Sequence, residues 1–148
     1  MTGDDGVWDI LVDGASRGNP GRAAAGARVI DPDGTILFEE GRCLGRATNN
    51  QAEYQALLIA LGEARLLQAR RVRVRSDSQL MIRQMRGEYK VKNAGLRPLY
   101  AEAVRLAGQF ESCEFKWVPR GQVADVDRLA NQALDREGAG RRGPTGGR

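Results

Sequence analysis

The chain contains no histidine, which removes imidazole from every role it ordinarily fills, whether general base, proton shuttle or zinc ligand. No catalytic triad built on a histidine base is possible. Cysteine is scarce too: Cys43 and Cys113 stand far apart with no CxxC pair, so both are read first as buried free thiols in strand-like contexts, with a bridge between them as the alternative. Aromatic residues make up only 5% of the chain, and lysine occurs at positions 90, 92 and 116 alone. No apolar run approaches the roughly 20 residues of a membrane span, and no apolar leader follows Met1-Thr2-Gly3-Asp4-Asp5. A cytoplasmic monomer with no membrane partner is expected.

What is present is positive charge, nearly all of it arginine. Lys and Arg total 23 against 19 acidic residues, a formal net charge of +4, with a pI of about 9.5. Guanidinium groups grip phosphate in a bidentate fork, so this balance suits an anionic partner, and on composition alone a solvated basic surface explains it equally well. At 148 residues the chain suits one domain that buries about two thirds of its unfolded surface without staples.

Periodicity divides it clearly. Trp8 to Val12 reads as a short strand, Asp13 to Gly21 as turn chemistry, and Ala23 to Ile30 as extended again. Asp31-Pro32-Asp33-Gly34 turns the chain into a third strand, Thr35 to Leu44, completing an antiparallel meander. From Asn49 to Gln68 the residues Ala56, Leu57, Ala60, Leu61, Ala64 and Leu67 recur at helical spacing behind a Thr48-x-x-Gln51 capping box. Arg71 to Arg75 alternates as a strand, and Gln79 to Met85 is helical. A helix from Leu96 to Phe110 has Pro98 in its first turn, Glu114 to Val118 is a fifth strand, and Asp125 to Glu137 is the last helix. The domain should span 1–137, with 138–148 a disordered basic Gly/Arg tail. This order predicts an α/β fold, a mixed five-stranded sheet of three antiparallel and two parallel strands flanked by helices. Its polar site belongs at strand ends, where Asp13 and Asp77 fall.

Four acids occupy matching contexts. Asp13 follows Ile10-Leu11-Val12 and precedes Gly14; Asp77 ends the fourth strand and opens a helix. Glu53 lies in the first turns of the long helix, and Asp127 in the first turns of the last. Singly, each is explained as a cap, a helix-dipole partner or a turn acid. Drawn together from distant points they are costly to assemble, and such clusters usually hold metal.

Five segments carry a resemblance. They are Asp13-Gly14-Ala15-Ser16-x-Gly18-Asn19-Pro20-Gly21, Thr48-Asn49-Asn50-Gln51-Ala52-Glu53, Ser76-Asp77-Ser78-Gln79, Val91-Lys92-Asn93, and Val118-Pro119-Arg120 followed by Asp127-x-Leu129-Ala130-Asn131. In this order they resemble the type 1 ribonuclease H family, from about Trp8 to Leu134. The resemblance implies the ribonuclease H-like fold and metal-dependent endonucleolytic cleavage of the RNA strand of an RNA/DNA hybrid, leaving 5′-phosphate and 3′-hydroxyl ends. It implies two Mg2+ ions, with Mn2+ as substitute, about 4 Å apart. Asp13 would bridge both ions, Glu53 and Asp77 would hold the one near the leaving group, and Asp127 would help hold the one that activates water. The following Leu129-Ala130-Asn131 selects Asp127 over Asp125, which is assigned as the helix cap. By the same resemblance Asn19, Asn49, Asn50 and Gln79 contact the minor groove, where 2′-hydroxyls mark RNA. Arg46, Thr48 and Asn93 grip a phosphate of the DNA strand, and Arg120 stabilises phosphate charge.

Two features that many bacterial relatives carry are missing. A basic protrusion rich in Lys and Trp is replaced by Gly87-Glu88-Tyr89-Lys90-Val91-Lys92, and the loop before the last helix, Arg120-Gly121-Gln122-Val123-Ala124, carries no histidine. Both absences resemble a subgroup some of whose members also cut double-stranded RNA. Two rival readings are a DNA-directed nuclease of related fold and a non-catalytic nucleic-acid binder. Polar residues suited to 2′-hydroxyls oppose the first, and a cluster of negative charge has no use in the second.

Overall fold

The computed structural model describes residues 6–141. Strands β1 (Trp8–Gly18), β2 (Gly21–Ile30) and β3 (Ile36–Ala47) are followed by α1 (Asn49–Leu66), β4 (Arg71–Ser76), α2 (Gln79–Met85) and α3 (Arg97–Ala107). Strand β5 (Ser112–Trp117), a 3-10 turn at Arg120–Val123 and α4 (Ala124–Arg141) complete the order. The sheet runs β3-β2-β1-β4-β5. Its first three strands pair antiparallel, and β4 and β5 are added in parallel. This is the mixed five-stranded sheet that the periodicity implied.

Burial follows coverage. The small residues of β2, Gly-Arg-Ala-Ala-Ala-Gly-Ala, are buried almost without break because α1 and α4 both pack on this strand. Strand β4 alternates instead, with Val72 and Val74 in the main core and Arg71, Arg73 and Arg75 half-buried on the other face. The core gathers Ile10, Val12, Leu57, Leu61, Met81 and Ile82, all essentially inaccessible, each contributing roughly 1.5–3 kcal/mol. A smaller cluster of Ala24, Ala130, Ala133 and Leu134 seats α4. Helix α1 opens on the expected capping box: Thr48 Oγ1 accepts from Gln51 N–H at 3.1 Å, and Gln51 Oε1 accepts from Thr48 N–H at 2.9 Å.

Four expectations need correction. Strand β1 does not stop at Val12: its ladder with β2 continues from Asp9↔Ile30 to Gly18↔Gly21, so backbone pairing overrides local turn propensity and confines the turn to Asn19-Pro20. Asp13 therefore lies within a strand, not at its end. Helix α4 passes Gly138 and reaches Arg141. Arg22 ties its last turns to β2 by bonding Glu137 Oε1 at 2.9 Å and the Leu134 carbonyl at 3.3 Å. Residues 142–148 of the expected tail lie outside the described residues. The two thiols are half-buried, not buried, and free, on β3 and β5 at opposite edges of the sheet. Among the described residues no helix is long and apolar enough to cross a membrane.

Candidate active site

Where the sheet opens, the acids meet. Strand β4 pairs with β1 only from Trp8↔Val72 to Leu11↔Arg75, so β1 runs past its parallel neighbour and the flank of Asp13 is left open. Asp77, just after β4, and Glu53, from α1, fill that flank. One carboxylate oxygen from each of Asp13, Glu53 and Asp77 lies within 4.8 Å of the others. Asp127 is near enough for its carboxylate to help raise the Asp13 carboxyl, but it is outside that three-acid group.

Glycines set the approach of both helices. A Cβ on Gly14 would stand 2.4 Å from the Glu53 nitrogen, so only glycine lets β1 come this near to α1. On the other face Asp13 pairs with Gly26, and Gly26 with Gly41, in one row across the sheet. Helix α4 lies directly on this row: added Cβ atoms would stand 1.9 Å from the Val126 carbonyl and 2.0 Å from the Leu129 carbonyl. Asp127 sits between those two contacts.

The cleft so formed has a volume of about 400 Å³, and its lining includes Asn49, Arg120 and Asn131 besides the four acids. Burial, then the charges of Asp77 and Asp127, raises the Asp13 carboxyl to about 8. Burial, then Asp13 and Asp77, raises Glu53 to about 9, while the Gly14 N–H pulls the other way. Glu53 Oε1 is buried with no hydrogen-bond partner among the described residues. The other two such atoms, Asp9 Oδ1 and Arg75 Nε, face each other as an ion pair at 3.3 Å, so of the three only Glu53 Oε1 lacks a facing opposite charge. An oxygen-only donor set with an orphaned buried carboxylate oxygen fits a hard divalent cation. Asp125 plays no part in the cleft and does not cap α4, which begins one residue earlier. Hydrogen bonds from Arg128 and Arg28 hold its carboxyl below the usual range.

The other residues singled out in the sequence are arranged around α1 and the cleft rim. The Asn19 side chain accepts from the Asn49 N–H at 3.1 Å, bringing those two together. Asn93 Oδ1 bonds the Gly95 N–H at 2.7 Å, and Gly95 lies beside Gln51, the capping partner of Thr48. Asn50 and Arg46 are exposed, and Gln79 lies on α2 beside a second cavity. Two cleft residues escaped the sequence reading as site residues. Asn131 donates to the Asp127 carbonyl at 3.0 Å and to its carboxylate at 3.2 Å; its spacing of four from Asp127 was the available signal. Ser16 also lines the cleft, bonding the Ala47 carbonyl at 2.9 Å.

Residues 11–133 match the family described as reverse transcriptase-like. The ribonuclease HI of Halobacterium salinarum is 44% identical over 123 residues, 83% of this chain and 62% of its own length. The chain belongs to the type 1 ribonuclease H family. A bifunctional protein of Mycobacterium tuberculosis is 47% identical over 127 residues, 85% of this chain but 35% of that protein, so the chain spans about a third of it. Among solved structures, the N-terminal RNase H domain of a Mycobacterium tuberculosis protein superposes with a TM-score of 0.86 at 45% identity, covering 89% of this chain and 96% of that one. LC11-RNase H1 in complex with an RNA/DNA hybrid superposes at 0.82 and 36% identity, covering 88% and 98%. The segment Arg120–Val123 before α4 is a 3-10 turn without histidine.

Proposed function

We propose that the chain is a metal-dependent endonuclease that hydrolyses the RNA strand of RNA/DNA hybrids, leaving 5′-phosphate and 3′-hydroxyl ends. One observation carries the reading: Asp13, Glu53 and Asp77 converge within 4.8 Å with a buried Glu53 oxygen left unpartnered, on a fold shared with a hybrid-bound RNase H1. Asp13, Glu53, Asp77 and Asp127 would hold two Mg2+ ions, or Mn2+. Bound there, the ions supply Lewis-acid charge to the attacking water and to the leaving 3′ oxygen.

The chain's own residues do the rest. Asn131 fixes the Asp127 carboxylate through its amide. Arg120, on the cleft wall, offers guanidinium charge to the scissile phosphate. Asn19, Asn49, Asn50 and Gln79 read 2′-hydroxyls in the minor groove, while Arg46, Thr48 and Asn93 grip a DNA phosphate near the α1 N-terminus. Resemblance to a subgroup some of whose members cut double-stranded RNA makes that duplex the second substrate to test.

Labelled RNA/DNA, RNA/RNA and DNA/DNA duplexes, incubated with and without Mg2+, decide the matter. Mg2+-dependent cutting of the hybrid is expected. Binding without cutting would overturn the reading in favour of a binding domain, and cutting of DNA/DNA alone in favour of a DNA nuclease.

A further inference from the structure

A second cavity, of about 150 Å³, is lined by Gln79, Ile82, Arg83, Arg86, Glu88 and Trp117. Asp77 links it to the acidic cleft: its carboxylate belongs to the three-acid group, and its backbone carbonyl accepts from Trp117 Nε1 at 3.2 Å. Gln79, Arg83 and Arg86 are spaced four and three apart, so α2 and its C-terminal cap present them in one row leading away from the acids.

The ion pairing here is looser than in most of the molecule, with Arg73–Asp9 at 3.7 Å comparable among the described residues. Arg42–Glu40 closes to 2.8 Å and Arg71–Glu111 to 2.6 Å. Glu88 instead stands 3.9 Å from Arg83 and 3.8 Å from Arg86, beyond hydrogen-bonding distance of both. Two positive groups thus share one distant carboxylate. Both are held in place: Arg86 Nε donates to the Phe115 carbonyl at 2.9 Å, and Arg83 lies 5.3 Å over the Tyr89 ring. Their terminal guanidinium nitrogens have no hydrogen-bond acceptor among the described residues.

The geometry points to a phosphate site here, filled by a backbone phosphate of the strand whose neighbouring phosphate lies over the acids. A tetrahedral anion brings oxygens to both guanidinium groups at once, which one carboxylate at this separation does not. Trp117, 42% exposed, offers an indole face to the adjoining sugar or base. The assignment rests on the nuclease reading above and supplies a basic contact in place of the missing protrusion. Glu88 tempers the affinity by occupying the same field.

The test uses the full chain carrying Asp13→Asn, so that hybrid is bound without being cut, titrated with a short labelled RNA/DNA hybrid in Mg2+ over a series of salt concentrations. Arg83→Gln and Arg86→Gln are each expected to weaken binding about five- to tenfold and to reduce the salt slope by about one phosphate's worth, ~0.9. The double variant reduces the slope no further, because both arginines hold the same phosphate. Glu88→Gln tightens binding about two- to fivefold. Arg42→Gln removes the same charge from β3 and leaves the slope unchanged. Among the described residues the Arg83 side chain makes no hydrogen bond, its carbonyl alone accepting from Glu88 and Tyr89, so it carries the test alone if Arg86→Gln lowers the melting temperature. Slopes for the Arg83 variant indistinguishable from Arg42→Gln would overturn the site. Cleavage by the wild-type chain is measured alongside: altered slopes without cleavage remove the nuclease reading and keep the site, and cleavage with unaltered slopes does the reverse.

Discussion

At the scale of single residues, the acids of the cleft are held against their own chemistry. Asp13 and Glu53 are raised to about 8 and about 9, first by burial and then by neighbouring carboxylates. A carboxyl raised in the folded state contributes stability that is fully present below its unfolded value, near 4, and is lost as pH rises through the folded value. Metal-free protein should therefore lose stability steadily between pH about 4 and about 9. Asp13→Asn abolishes cleavage yet melts higher than wild type at neutral pH without metal, while the two converge near pH 4. Melting curves in chelator across this range check the prediction; a variant that melts lower at pH 7 would make Asp13 a structural residue. Asn131 gives a second prediction. Asn131→Ala frees the Asp127 carboxylate and should lower kcat about tenfold while leaving hybrid affinity within about twofold. An equal loss in KM would place Asn131 on the substrate instead.

At the scale of elements, helix position is set by glycines in the sheet. Gly26→Ala places a methyl group 1.9 Å from the Val126 carbonyl, so α4 must lift and carry Asp127 away from Asp13. Cleavage should fall at least a hundredfold, with metal affinity reduced and the main core, which α1 covers, still folded. Near-normal activity in a folded Gly26→Ala would show that α4 finds its place without the glycine seat. This part of the site was illegible in the sequence, where Gly26 is one small residue among alanines and the row Asp13–Gly26–Gly41 exists only once three strands are in register. The elements themselves were legible, because the Thr48 capping box and the alternation of Arg71 to Arg75 are local signals. Strand β1 was read short for the opposite reason: Asp-Gly-Ala-Ser-Arg-Gly carries turn chemistry, and the β2 ladder that overrides it comes from residues farther along the chain. The four acids stood out by their matching local contexts before motif order suggested a role, and the fold brings one oxygen each of Asp13, Glu53 and Asp77 together, although Asp13 lies mid-strand beside the end of β4.

For the whole molecule, the lack of histidine sets how activity should respond to pH. No imidazole titrates near 6.5, so protons must leave the acidic cluster itself before divalent ions can enter. At low Mg2+ the rate should climb from pH 6 to about 9, and saturating Mg2+ should move that climb to lower pH. A profile whose shape is independent of Mg2+ concentration would assign the climb to another group. The central claim, that these carboxylates converge to share divalent cations, is tested most directly by calorimetric titration of Mg2+ or Mn2+ into the metal-free protein at pH 7. Buffers of different ionisation enthalpy count the protons released. Saturable binding with release of about one to two protons, lost in Asp13→Asn, is the expected result. Absence of binding, or binding without proton release that survives Asp13→Asn, would contradict the account.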